Sequence, residues 1–232
     1  YEVKETTAPY GMVLNDEIHS VELVYAGQEI EVTETATGFV NERQRVEIDL
    51  VKSLETDEAY GIGTNGEIFD VTFGLYAAEE LKAADGTVIP ADGLIEVIFL
   101  DENGHGKAIS DLPIGNYYVQ EINTNAAYLV SDTKYPVNFE YAGQGTAVVN
   151  ITANEGEAIT NDIIYGSVSG KKSDEDGKNL GGAVIGIFKT GTKEFTADNA
   201  IATVKSAEDG SFAFEKVPYG TWIVREIESP KG

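Results

Sequence analysis

Three residues in this chain could together make a covalent bond without any cofactor: Lys52, Glu121 and Asn161. Successive side chains of a strand point to opposite faces. In Val46-Glu-Ile48-Asp-Leu50-Val-Lys52, positions 46, 48, 50 and 52 share a face, and three of them are aliphatic, so Lys52 continues a core-facing row. Glu121 shares a face with Tyr117 and Val119, and Asn161 shares one with Ile159. A charge buried alone costs several kcal/mol, so inward groups of this kind must pair or react. Two chemistries are open. One is a buried Lys–Glu ion pair with Asn as a hydrogen-bonding neighbour. The other is an intramolecular isopeptide bond from Lys52 Nζ to Asn161 Cγ, with loss of one ammonia. Desolvation favours a neutral, nucleophilic amine. It also favours the neutral form of an acid, and a protonated Glu121 would hydrogen-bond the carboxamide oxygen, polarise its carbon and shuttle protons. Folding supplies the contact that replaces an external catalyst. Spacing alone does not choose between the two.

The elements that must position these residues repeat along the chain. Tyr1-Glu-Val-Lys-Glu5 returns as Tyr117-Tyr-Val-Gln-Glu121 and as Trp222-Ile-Val-Arg-Glu226, the last two after the turns Leu112-Pro-Ile-Gly115 and Val217-Pro-Tyr-Gly220. Tyr25-Ala-Gly-Gln28 returns as Tyr141-Ala-Gly-Gln144, and Phe39-Val-Asn41 matches Ile159-Thr-Asn161. Lys52 follows Asn41 at the interval by which Lys172 follows Asn161. The organisation expected is the second half of one unit over 1–44, a complete unit over 45–165 and the first part of another over 166–232, with short junctions and stiff stacking. Within the complete unit, strands are expected at 46–52, 68–76, 94–100, 116–122, 135–141, 145–152 and 158–164. Asn103-Gly104 and Asp209-Gly210 provide tight turns. The one helical candidate, Tyr76–Ala84, is barely two turns long. An all-β chain of tandem, immunoglobulin-like sandwiches follows.

The string Gly166-Ser-Val-Ser-Gly-Lys-Lys172-Ser-Asp174, followed by Leu180-Gly-Gly-Ala183-Val-Ile-Gly-Ile-Phe188, resembles the opening of Cna B-type, pilin-like domains of Gram-positive surface adhesins and pilins. Val217-Pro-Tyr-Gly-Thr-Trp-Ile-Val-Arg-Glu226-Ile-Glu-Ser-Pro-Lys-Gly232 and Tyr1-Glu-Val-Lys-Glu5-Thr-Thr-Ala-Pro-Tyr-Gly11 are similar to the family's E-box. Phe73–Leu81 and Ala84–Pro90 are similar to its long variants. The resemblance implies that the first-strand Lys bonds the last-strand Asn and that the E-box Glu catalyses the reaction. It implies these roles for Lys52, Asn161 and Glu121, and half-triads for Glu5 with Asn41 and for Lys172 with Glu226. One departure is that Glu121 is followed by Ile-Asn-Thr-Asn-Ala-Ala rather than by a small residue, Pro, any residue and Gly.

Composition narrows the remaining possibilities. With 40 Asp+Glu against 16 Lys+Arg, the formal charge is −24, which disfavours nucleic acid and anionic membrane surfaces as partners. The absence of Cys excludes disulfides, thiolate metal sites and Cys nucleophiles. No metal or cofactor is expected: His19 and His105 stand alone, and Asp174-Glu-Asp176-Gly177 lacks the rest of a calcium loop. No run is long enough to span a bilayer as a helix. Without an initiating Met, signal peptide or sorting tail, the chain reads as part of a longer, exported protein. The first function expected is a structural stalk of a cell-surface adhesin or pilus-like fibre, extracellular and non-enzymatic apart from self-crosslinking. Its partners are neighbouring repeats. The terminal halves would belong to a longer tandem array or, less readily, be completed by other copies in a fibre. The alternative is an adhesive module whose loops grip a host protein or glycan. Short acidic loops, with aromatics on strand periodicity, favour the stalk.

Overall fold

The computed structural model describes residues 1–31 and 33–230. Short strands and tight turns make up the described residues, and no helix among them exceeds a four-residue 3-10 turn. The first strands, β1 (Glu2–Lys4) and β2 (Ile18–Ser20), form an antiparallel pair, and the rest of residues 1–44 is irregular.

Residues 45–165 hold two facing sheets. The first is built on β3 (Arg45–Leu54), whose Val46, Ile48, Leu50 and Lys52 are all buried on one face, as the alternation predicts. The second uses β4 (Thr72–Ala77), which leads into the two-residue pair β5 (Leu81–Lys82) and β6 (Val88–Ile89), then β7 (Leu94–Phe99). β8 (His105–Ala108) returns antiparallel to β3. β9 (Gly115–Asn123), which carries Glu121, and β10 (Tyr135–Phe139) complete the antiparallel order β10-β9-β4-β7. β11 (Val148–Thr152) and β12 (Ile159–Asn161) then add in parallel to β3, β11 along its first half and β12 along its end. Between the sheets, Phe73, Leu75, Tyr117, Val119, Val137 and Phe139 pack against Ile48, Leu50 and Ile159. Burying side chains of this size stabilises by about 1.5–3 kcal/mol each.

Residues 165–230 repeat part of this plan. β13 (Tyr165–Lys171) pairs with β16 (Ser211–Pro218), while β14 (Val184–Lys189) lies between β15 (Ala202–Lys205) and β17 (Trp222–Glu228). Their core gathers Ala183, Ile185, Ile187, Phe214 and Val217. Two local devices recur. In β9 and β17 an aromatic donates back to the Pro carbonyl four residues earlier, Tyr117 to Pro113 at 2.5 Å and Trp222 to Pro218 at 2.8 Å. Each Lys is pinned by its hairpin turn, with Lys52 N donating to Gly104 O and Lys172 N to Gly210 O, both at 2.8 Å. Both glycines have positive φ, and a Cβ on Gly104 would fall 2.1 Å from Lys52 O, so only glycine fits there.

Three expectations change. β8 escaped the strand reading because His-Gly-Lys-Ala carries no β-branched or aromatic signal. Gly106 is needed there because a Cβ would crowd Ile98 at 2.8 Å. The strand expected from 68 starts at Thr72, after a 3-10 turn over Glu67–Asp70. The helical candidate at 76–84 is the end of β4, a turn and β5: Tyr76 stacks on Tyr118 at 5.1 Å and Leu81 pairs with Ile89, so tertiary packing overrides a short run of helix formers.

Contacts also cross the junctions. Gln144 Oε1 accepts from Ala8 N at 2.8 Å, Tyr141 donates to Met12 O at 3.1 Å and meets the Tyr10 ring at a tilt of 59°, and the buried Gln44 side chain bonds Ala142 N and Thr146 O. The repeated Tyr-Ala-Gly-Gln turn therefore acts, at 141–144, as a clasp on the preceding segment. At the other junction, Tyr219 N donates to Ile164 O at 2.8 Å, and Tyr60 and Trp222 meet edge to face with ring centroids 4.8 Å apart.

Candidate functional site: a buried lysine, asparagine and glutamate

β3, β9 and β12 bring Lys52, Glu121 and Asn161 together from three distant parts of the sequence. The residues are 2%, 5% and 2% exposed. Lys52 Nζ donates to Asn161 Oδ1 at 2.5 Å across a separation of 109 residues. Asn161 Nδ2 donates to Glu121 Oε1 at 2.8 Å and to Thr124 Oγ1 at 3.0 Å. Lys52 Nζ lies 3.7 Å from Glu121 Oε1, and neither side chain is exposed. The second carboxylate oxygen is held by Ser131 N at 2.7 Å.

Burial pushes the Lys52 ammonium down to about 8, against the pull of the Glu121 carboxylate. A sizeable fraction of the amine is therefore neutral near physiological pH, with a lone pair available at contact with the carboxamide. One detail differs from the sequence expectation. Glu121 does not reach the carboxamide oxygen, because Lys52 occupies it; the carboxylate accepts from the carboxamide nitrogen instead. This places Glu121 beside the atom that would leave as ammonia.

The half-triads also form pairs. Asn41 Nδ2 donates to Glu5 Oε2 at 2.6 Å and to Val13 O at 2.9 Å. Asn15 N holds Glu5 Oε2 at 2.8 Å, ten residues beyond the Glu, as Ser131 N does for Glu121. Lys172 Nζ lies 3.6 Å from Glu226 Oε2, with side chains 25% and 34% exposed. Sequence reasoning missed the Ser131 amide, the Thr124 hydroxyl and the Gln44 clasp. A backbone donor leaves no sequence signal. Thr124 fell in the stretch that departs from the E-box pattern, and Gln44 sat at a junction without periodicity.

The family model described as SpaA, prealbumin-like fold domain, matches residues 94–155 and 166–232. Among solved structures, the chain superposes on the Bacillus anthracis TIE protein with a TM-score of 0.63 at 21% identity, covering 99% of this chain and 36% of that one. The chain thus spans about a third of that protein's length. A streptococcal ancillary pilin aligns at 20% identity over 99% of this chain and 65% of its own, with a TM-score of 0.33. The C-terminal fragment of pilus adhesin SpaC from Lactobacillus rhamnosus GG aligns at 14% identity over 82% and 77%, with a TM-score of 0.44. At those scores the last two carry no argument. No curated protein sequence matches the chain.

Proposed function

The chain belongs to the prealbumin-like fold domain family, and from that premise we propose that it forms stalk repeats of a Gram-positive surface adhesin or pilus-like fibre, locked by a self-formed Lys52–Asn161 bond. The observation that carries this reading is the buried contact of Lys52 Nζ with the Asn161 carboxamide, beside Glu121. The neutral amine attacks Asn161 Cγ. Glu121 takes a proton from the attacking nitrogen and delivers one to Nδ2, which leaves as ammonia, and an amide replaces an amide. Protons and charge balance without an external reagent. Contact enforced by folding supplies the effective concentration.

The mechanical consequence follows from topology. Tension would enter at Arg45 and leave near Tyr165, along β3 and its parallel neighbour β12. A bond between Lys52 and Asn161 routes that load through the ends of two adjacent strands and shields everything between. The division into 1–44, 45–165 and 166–232 gives the repeat frame. In it Glu5–Asn41 and Lys172–Glu226 are halves of the same triad in flanking units, and the partners are neighbouring repeats on an extracellular surface. Pulling single chains by their ends tests this. Unfolding of residues 45–165 should not release the roughly 380 Å that 109 extended residues would give. Release of that full length would refute the load-bearing reading.

A further inference from the structure

We infer that the Thr124 hydroxyl is a catalytic group of this crosslink, serving the nitrogen that departs; the inference rests on the self-crosslinking reading and deepens it. Thr124 Oγ1 is 3.0 Å from Asn161 Nδ2, so that both amide hydrogens are engaged, one by Glu121 and one by Thr124. Thr124 stands three residues beyond its Glu, on the loop leaving β9.

The same chain offers its own comparison. Three residues beyond Glu5 stands Ala8, and three beyond Glu226 stands Ser229. With no hydroxyl at Ala8, Asn41 Nδ2 turns its second hydrogen to the Val13 carbonyl at 2.9 Å. A carbonyl and a hydroxyl serve the planar amide equally as acceptors, but they part company when the bond breaks. In the tetrahedral intermediate the nitrogen becomes pyramidal and gains a lone pair. A hydroxyl can rotate to keep that hydrogen bond while the lone pair turns toward Glu121, and a backbone carbonyl is fixed. Glu121 supplies the proton that completes ammonia, and Thr124 stabilises the leaving nitrogen while the Cγ–Nδ2 bond breaks. Ser229 stands at the same offset from Glu226, whereas Ala8 leaves the Glu5–Asn41 pair without a hydroxyl there.

The test uses the whole chain, made by cell-free synthesis and quenched at intervals, with the joined Lys52–Asn161 peptides followed by mass spectrometry. Thr124→Val, close in shape but without the hydroxyl, should slow joining by about fivefold to tenfold, the worth of one hydrogen bond in the transition state. Thr124→Ser should restore the rate to within about twofold, since it keeps the hydroxyl. A structural effect is separated by placing Thr124→Val in an uncrosslinkable Lys52→Met chain, where loss of its hydrogen bond to Asn161 should lower the thermal midpoint by only about 4 °C. Equal rates for Thr124→Val and the parent would overturn the inference and leave the crosslink standing, and so would Thr124→Ser as slow as Thr124→Val. A midpoint lowered by more than about 10 °C in the Lys52→Met background would overturn the catalytic assignment, since the fold itself would then depend on Thr124. Absence of joined peptide from the parent chain would instead refute the crosslinking reading, and this inference with it.

Discussion

Replacing Lys52 by Met should lower the thermal midpoint of residues 45–165 by well over ten degrees. The proposed bond would close a loop of 109 residues. By analogy with disulfide closure, constraining the unfolded chain over that length is worth close to 5 kcal/mol. A unit of about 120 residues unfolds with an entropy near 0.25 kcal/mol/K, so that figure corresponds to about 19 °C. The substitution suits the purpose. In the linked state Nζ is a neutral amide, so Met removes no cation that the linked state keeps, and a swap of similar volume adds under about 1.5 kcal/mol of its own. Scanning calorimetry of parent and variant chains reads the difference. A fall of less than about 5 °C, in a parent whose mass shows the bond, would refute the entropic reasoning.

Crosslinking should depend on pH through the neutral fraction of Lys52. Because burial sets that group at about 8, below its unfolded value, the rate of joining should rise about fivefold from pH 7 to pH 8 and level off above it; a rate independent of pH from 6 to 9 would count against a free-amine nucleophile. Glu121→Gln keeps the size but cannot carry the proton, and should slow joining by at least about a hundredfold in the same peptide assay. Lysine acetylation separates the sites: Lys172, whose side chain is 25% exposed, should label in the native protein, while Lys52 should stay unlabelled even after denaturation because its amine is consumed.

Much of the site was legible because strand alternation is a strict geometric rule. It placed Lys52, Glu121 and Asn161 inward, and all three are buried. The equal Glu-to-Tyr and Asn-to-Lys intervals pointed to the repeats, and β1 pairs with β2 in the register of β9 with β10. Val3 faces His19 as Val119 faces Tyr135, each pair sixteen residues apart in sequence. What was not legible came from interactions without a sequence signature. β8 is a strand because β3 needs an antiparallel neighbour, not because its residues favour extension. The 76–84 stretch reads as helix locally and packs as sheet. The orientation of the Asn161 carboxamide follows from competition, since Lys52 claims the oxygen and leaves the nitrogen to Glu121 and Thr124.

The chain holds no Cys, so no disulfide can tie it. The proposed amide would be a covalent tie that reductants do not break. The most direct test is the intact mass of the purified chain combined with a peptide map. The expected mass is lower than the sequence mass by one ammonia, with the peptides containing Lys52 and Asn161 joined. A mass equal to that of the sequence, with both peptides recovered separately, would contradict the proposal at its centre.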